Sequence, residues 1–143
     1  MNRHLPVELI RFALGSRICT LSLVPVGDVG LHSACSQVRA AGEGESIEVR
    51  RLSDLVRERG VGRVDLWKLD VEGFELEALA DAEELLAAKR IGAIYAGLAF
   101  GHGEQIRAYL GQFGYQCHLF DAAGGLHVPA VLPPHINGLF LPE

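Results

Sequence analysis

Between Val64 and Phe120 the hydrophobic pattern changes period four times, and no other feature of the chain constrains its fold as tightly. Val64-Asp-Leu-Trp-Lys-Leu-Asp70 reads as a strand that ends in an acid. Gly73 to Ala88 carries Leu76, Leu79, Ala82 and Leu86 at helical spacing, with Leu85 flanking the stripe. Glu75 and Glu77 fall in its first turns, where carboxylates suit the positive end of the helix dipole. Ile91 to Phe100 is nearly continuous in apolar residues, the pattern of a strand buried on both faces. Glu104 to Phe113 reads as a helix closed by Gly114, and Tyr115 to Phe120 as a further strand. Strand–helix–strand–helix–strand makes two consecutive crossover units, so the expected fold is α/β, in three layers around a mostly parallel sheet. A last strand, Ile136 to Leu141, follows a Gly/Pro-rich connection without a helix, and is expected to pair antiparallel with its predecessor.

The first half is less regular. Pro6, Val7, Ile10 and Leu14 read as a short amphipathic helix closed by Gly15, and Ile18 to Val24 as an alternating strand. Residues 25–46 read as a long loop, and Ile47 to Arg50 as a short extended piece. Ser53 or Asp54 then caps a helix that runs to Arg59 and ends at Gly60. With 143 residues, 49% apolar and 22% charged, the chain has the makings of one domain spanning 1–143, not of a disordered segment. Its longest mostly apolar stretch, Ile91 to Gly101, falls short of the roughly 18 residues of a membrane span. Met1 to Leu14 is interrupted by Arg3, Glu8 and Arg11 and lacks a signal peptide's apolar region. A soluble, cytoplasmic protein with no membrane partner is expected.

Charge is unevenly distributed. Residues 1–63 hold nine Arg against seven acids, whereas residues 64–143 hold four bases against eleven acids. Eight of those eleven acids lie between Asp65 and Glu84. A basic stripe is missing, so no nucleic-acid partner is expected. Cys19, Cys35 and Cys117 form no CxxC pair, which argues against a zinc site or a disulfide framework. The six histidines show no HxH or HxxxH spacing, so no metal is expected.

In sheets of this kind ligands bind beyond the carboxyl ends of the strands, here Pro25 to Asp28, Asp70 to Gly73 and Phe100 to Gly103. Lys68-Leu-Asp-Val-Glu-Gly73 puts Asp70 and Glu72 at that rim, with Gly73 allowing a sharp turn and a close backbone approach. Two carboxylates there could hold a metal, orient a ligand or act as a base. Equally, Asp70 could cap the helix while Glu72 is solvated. His102, between two glycines, could take a proton from an acceptor hydroxyl or simply cap the next helix. Trp67 and Tyr95 lie within strands and read as packing residues.

Arg51-Leu-Ser-Asp-Leu-Val56, followed by Val64-Asp-Leu-Trp-Lys-Leu-Asp-Val-Glu-Gly-Phe-Glu-Leu-Glu-Ala-Leu79, resembles the FkbM family of S-adenosylmethionine-dependent methyltransferases. The family hallmark is similar to "DLLKIDVEGAELEVL". The likeness runs on through Leu85-Leu86, Phe113-Gly-Tyr115 and Asn137-Gly-Leu-Phe-Leu-Pro142, covering residues 47–142 well and 6–46 loosely. It implies a Rossmann-like class I methyltransferase fold, with sheet order 3-2-1-4-5-7-6, and methyl transfer from S-adenosylmethionine, usually to an oxygen of a small-molecule acceptor. Asp70 and Glu72 then close the fourth strand beside the methyl group, with Gly73 on the cofactor. Val26, Gly27 and Asp28 fall where such folds contact adenine, although a simple turn explains these three as well.

Two departures qualify the expectation. The family opens with a strand and a glycine-rich loop similar to "DVGANIG", then a second strand; the 42 residues from Asp28 to Asp70 leave no room for two strand–helix units of roughly 30 residues each. Gly97 stands where the family tends to carry a glutamate. A truncated fold with weak cofactor affinity is therefore expected, in which strand 64–70 loses its neighbour. Strand 18–24 could move across to pair with it, or a partner chain or second copy could cover it. Two other functions remain open: a non-catalytic remnant or subunit working through association, and a metal-binding α/β domain using Asp70 and Glu72.

Overall fold

The computed structural model describes residues 7–16, 18–25, 36–39, 45–71, 73–98, 101–134 and 136–143. In chain order they form β1 (Ala13–Leu14), β2 (Cys19–Pro25), β3 (Ser36–Arg39), β4 (Glu45–Arg50), α1 (Leu52–Glu58), β5 (Trp67–Leu69), α2 (Glu75–Asp81), α3 (Glu83–Ala87), β6 (Ile94–Gly97), α4 (Gly103–Gln112), β7 (Tyr115–Phe120), β8 (Leu126–His127) and β9 (Asn137–Pro142). Two mixed sheets result, ordered β1-β4-β2-β3 and β5-β6-β9-β7-β8. The fold is α/β. Among the named strand pairs β1·β4 and β5·β6 are parallel and the rest antiparallel, so the expected mostly parallel sheet is not found. The cause is β9, which returns between β6 and β7 and runs antiparallel to both. Its antiparallel pairing with β7 was expected, and its place between β6 and β7 agrees with the 5-7-6 order that the resemblance implies.

Burial in the larger sheet alternates along β5, β6, β7 and β9. Trp67, Leu69, Ile94, Ala96, Tyr115, Cys117 and Phe140 join Leu79, Leu86, Ile106 and Leu110 of the helices in one core. Fully burying each Leu or Ile is worth roughly 1.5–3 kcal/mol. The alternate residues Lys68, Tyr95, Gln116, His118 and Leu139 stay partly or wholly exposed. The sheet is thus packed on one face among the described residues, and the three-layer, doubly buried arrangement expected of Ile91 to Phe100 is not observed. Polar Lys68, Gln116 and His118 on the other face account for the difference. Trp67 packs as expected, 7% exposed.

Several local expectations change. Residues 7–12 form no helix; Val7, Leu9 and Ile10 are exposed, and β1 instead pairs with β4, with the Gly15 amide donating to the Arg50 carbonyl. The long loop holds β3, which pairs with β2. The helix expected over 73–88 is interrupted at Ala82, which ends α2 and begins α3. At the end of α2, the buried carboxylate of Asp81 accepts hydrogen bonds from Arg51 Nε at 2.6 Å, Ser53 N at 3.1 Å and Ser53 Oγ at 3.0 Å. That carboxylate caps α1 from another helix, since Arg51 at the N-cap makes no side-chain cap bond. It also holds the Arg51 guanidinium above its ordinary pKa.

Strand β2 pairs with β3 and β4, not with β5, so β5 has no partner on its outer edge among the described residues. No helix among the described residues is long and apolar enough to cross a membrane.

Candidate functional site

The turn from β5 into α2 is built by local chemistry. Gly73 has φ +101°, a conformation that side-chain-bearing residues rarely adopt, and its amide points back toward the helix it introduces. Glu75, the first residue of α2, folds its side chain over that turn. Its Oε1 accepts from the Val71 amide at 3.2 Å and its Oε2 from the Gly73 amide at 3.0 Å. The residue is 5% exposed, so the carboxylate expected in the first turn of the helix also pins the preceding turn from inside.

Asp70 follows β5 at the carboxyl end of the parallel pair β5·β6. Its side chain is half-exposed, and its Oδ2 pairs with Lys68 Nζ at 2.5 Å. Register places Leu69 opposite Ala96, and Gly97 opposite Asn137, so Asp70, Gly97 and Asn137 form a row across three strands. Gly97 leaves a gap in that row. A Cβ there would lie 3.6 Å from Asp70 Oδ1, 3.6 Å from Asn137 Oδ1 and 4.0 Å from Glu75 Oε1. The oxygens of one amide and two carboxylates therefore converge at the strand ends, an environment that favours a cation or a hydrogen-bond donor.

His102 lies on the next strand-to-helix turn, at the N-cap of α4, without a side-chain cap bond. Its Nδ1 pairs with Gln105 Oε1 at 3.0 Å, and no hydrogen bond links it to Asp70. Glu72, Val26, Gly27 and Asp28 lie outside the described residues. Asp70 and Gly73 are thus brought together, while His102 stands apart on the same rim. Glu75 and Asn137 also belong to the site, although no local pattern marks them as part of it. For Glu75 only the two-residue spacing from Gly73 was available as a signal; for Asn137 nothing local reveals the pairing with β6.

Beside the turn, a cavity of about 400 Å³ lies between the smaller sheet and α2. Leu21, Val49 and Phe74 give it apolar walls, and Ser16, Cys19 and Glu77 line it with polar groups. Its size is in the range of small-ligand pockets. Among the described residues no group of three or more His, Cys, Asp or Glu side chains could hold a metal ion.

Comparison with known proteins matches the chain to one family description, the methyltransferase FkbM domain, over residues 9–117. No curated protein and no solved structure matches it. The matched span takes in the smaller sheet, the Asp70–Gly73 turn and every helix, most of the 143 residues. This chain belongs to the FkbM methyltransferase domain family.

Proposed function

We propose that the chain is an S-adenosylmethionine-dependent methyltransferase that acts on an oxygen of a small-molecule acceptor. The observation that carries this reading is the order β5-β6-β9-β7 with Asp70 at the end of β5. It corresponds to strands 4-5-7-6 of the class I sheet, including a reversed strand inserted between two that run alike. Family membership supports methyl transfer; the rim supports the place where it happens.

S-adenosylmethionine, when bound, supplies a methyl group activated on a positively charged sulfur. The oxygens of Asp70 and Asn137 beside Gly97 suit the cationic end of such a molecule. Lys68 holds one oxygen of Asp70 and so orients the other toward the gap. The apolar walls of the neighbouring cavity suit the body of an organic ligand. His102, with Nδ1 held by Gln105, keeps Nε2 for the proton that an acceptor hydroxyl releases.

Calorimetric titration with S-adenosylmethionine tests the reading. Binding tighter than millimolar, weakened at least about tenfold by Asp70→Ala, is the expected result. An absence of heat at millimolar cofactor would overturn it. A second reading, a subunit that works through association, draws on the outer edge of β5, which has no partner among the described residues. Sedimentation of the full chain distinguishes the two: a monomer that binds cofactor excludes the second.

A further inference from the structure

We infer that Glu75 is a positioning residue, which holds the Asp70–Gly73 turn in the shape that presents Asp70 to the ligand. The inference rests on the methyltransferase reading for its ligand, but its geometry stands independently. A carboxylate 5% exposed is costly to bury unless its oxygens are satisfied, and here each oxygen takes one backbone amide. Both amides belong to the turn. Neither is committed to a strand or helix ladder, and Gly73, at φ +101°, has the backbone freedom to take up other conformations once released. One side chain therefore fixes the segment at two points, between the end of β5 and the start of α2.

The same carboxylate connects two parts of the site. Its Oε1 faces the gap at Gly97 alongside Asp70 Oδ1, while the helix turn it begins carries Phe74 and Glu77 into the wall of the cavity. Released from the amides, the turn would carry Asp70 away from Gly97 and Asn137. Asp70 supplies the contact to the ligand, and Glu75 acts through Asp70.

The test combines amide exchange with a double-mutant cycle on the full chain. In Glu75→Gln, exchange at Val71 and Gly73 is expected to quicken at least about tenfold, while the core amides of Ile94 and Phe140 keep their protection. The conservative variant retains volume and one acceptor oxygen, so it preserves the fold better than Glu75→Ala. S-adenosylmethionine affinity is expected to fall about tenfold in Glu75→Gln, and Asp70→Ala/Glu75→Gln is expected to bind no worse than Asp70→Ala alone. Additive losses would overturn the inference, since a purely structural contribution would add to that of Asp70. Unchanged exchange at Val71 and Gly73, or faster exchange throughout the core, would also overturn it. If the wild-type chain binds no cofactor, the methyltransferase reading falls and the exchange measurement alone decides whether Glu75 holds the turn.

Discussion

Asp81→Ala removes the carboxylate that joins α2 to the start of α1. In the wild-type chain that side chain is 1% exposed and accepts from both the amide and the hydroxyl of Ser53. Losing the amide contact is equivalent to losing a helix N-cap, about 0.5–2 kcal/mol. Losing the hydroxyl contact adds about 0.5–1.5 kcal/mol. Arg51 adds little, because its guanidinium is 44% exposed and returns to water. The expected destabilisation is therefore about 1–3.5 kcal/mol. Urea denaturation reads it as a fall in midpoint of about 0.3–3.5 M at an unchanged slope, given slopes of about 1–3 kcal/mol/M. The wild-type midpoint should barely move in high salt, since hydrogen bonds to Ser53 dominate over the exposed ion pair. A fall under about 0.2 M would refute this account of α1, and a strong salt dependence would return the credit to Arg51.

Other expectations follow from the same contacts. Burial pushes the Cys117 thiol from its ordinary value near 9.0 up to about 11, so the folded chain keeps a proton that the unfolded chain loses. Stability should fall as pH rises from near 9 to about 11, by about 2–3 kcal/mol, and Cys117→Ala should flatten that part of the urea-midpoint profile. Gly73→Ala meets no atom within 4 Å, so its cost is conformational alone, about 1–3 kcal/mol at φ +101°; a thermal midpoint equal to wild type would contradict the backbone assignment. Gly97→Ala places a methyl at ordinary contact distances and should change stability by less than about 1 kcal/mol. Gly97→Glu adds a third carboxylate near Asp70 and Glu75, and should make the chain less stable at pH 7 than at pH 4 relative to wild type, as calorimetric unfolding would record.

The parts of the site that depend on neighbouring residues were readable in advance. An apolar strand ending in Asp70, a glycine at the turn and a leucine stripe beyond it are local patterns, and β5, the turn and α2 stand where those patterns put them. The role of Asp81 was not readable, because its partners lie 28 and 30 residues earlier in the chain. The residues around 7–14 carry helical spacing but have no apolar face to cover, so pairing with β4 wins over an isolated amphipathic turn. Ile91 to Phe100 looked buried on both sides because apolar content cannot tell which face a neighbour covers; Tyr95 is apolar enough for a core and still lies partly exposed.

The sequence by itself determined the family, the alternation of strands and helices after Val64, and the presence of Asp70 and Gly73 at one strand end, all of which depend on short spacings along the chain. Only the tertiary structure decided the register of β9 that sets Asn137 across from Gly97, and that Glu75 turns inward to hold Val71 and Gly73. Strand order follows from which edges come together over long separations, and a carboxylate's direction follows from which amides the fold leaves unpaired; neither is encoded in a local period.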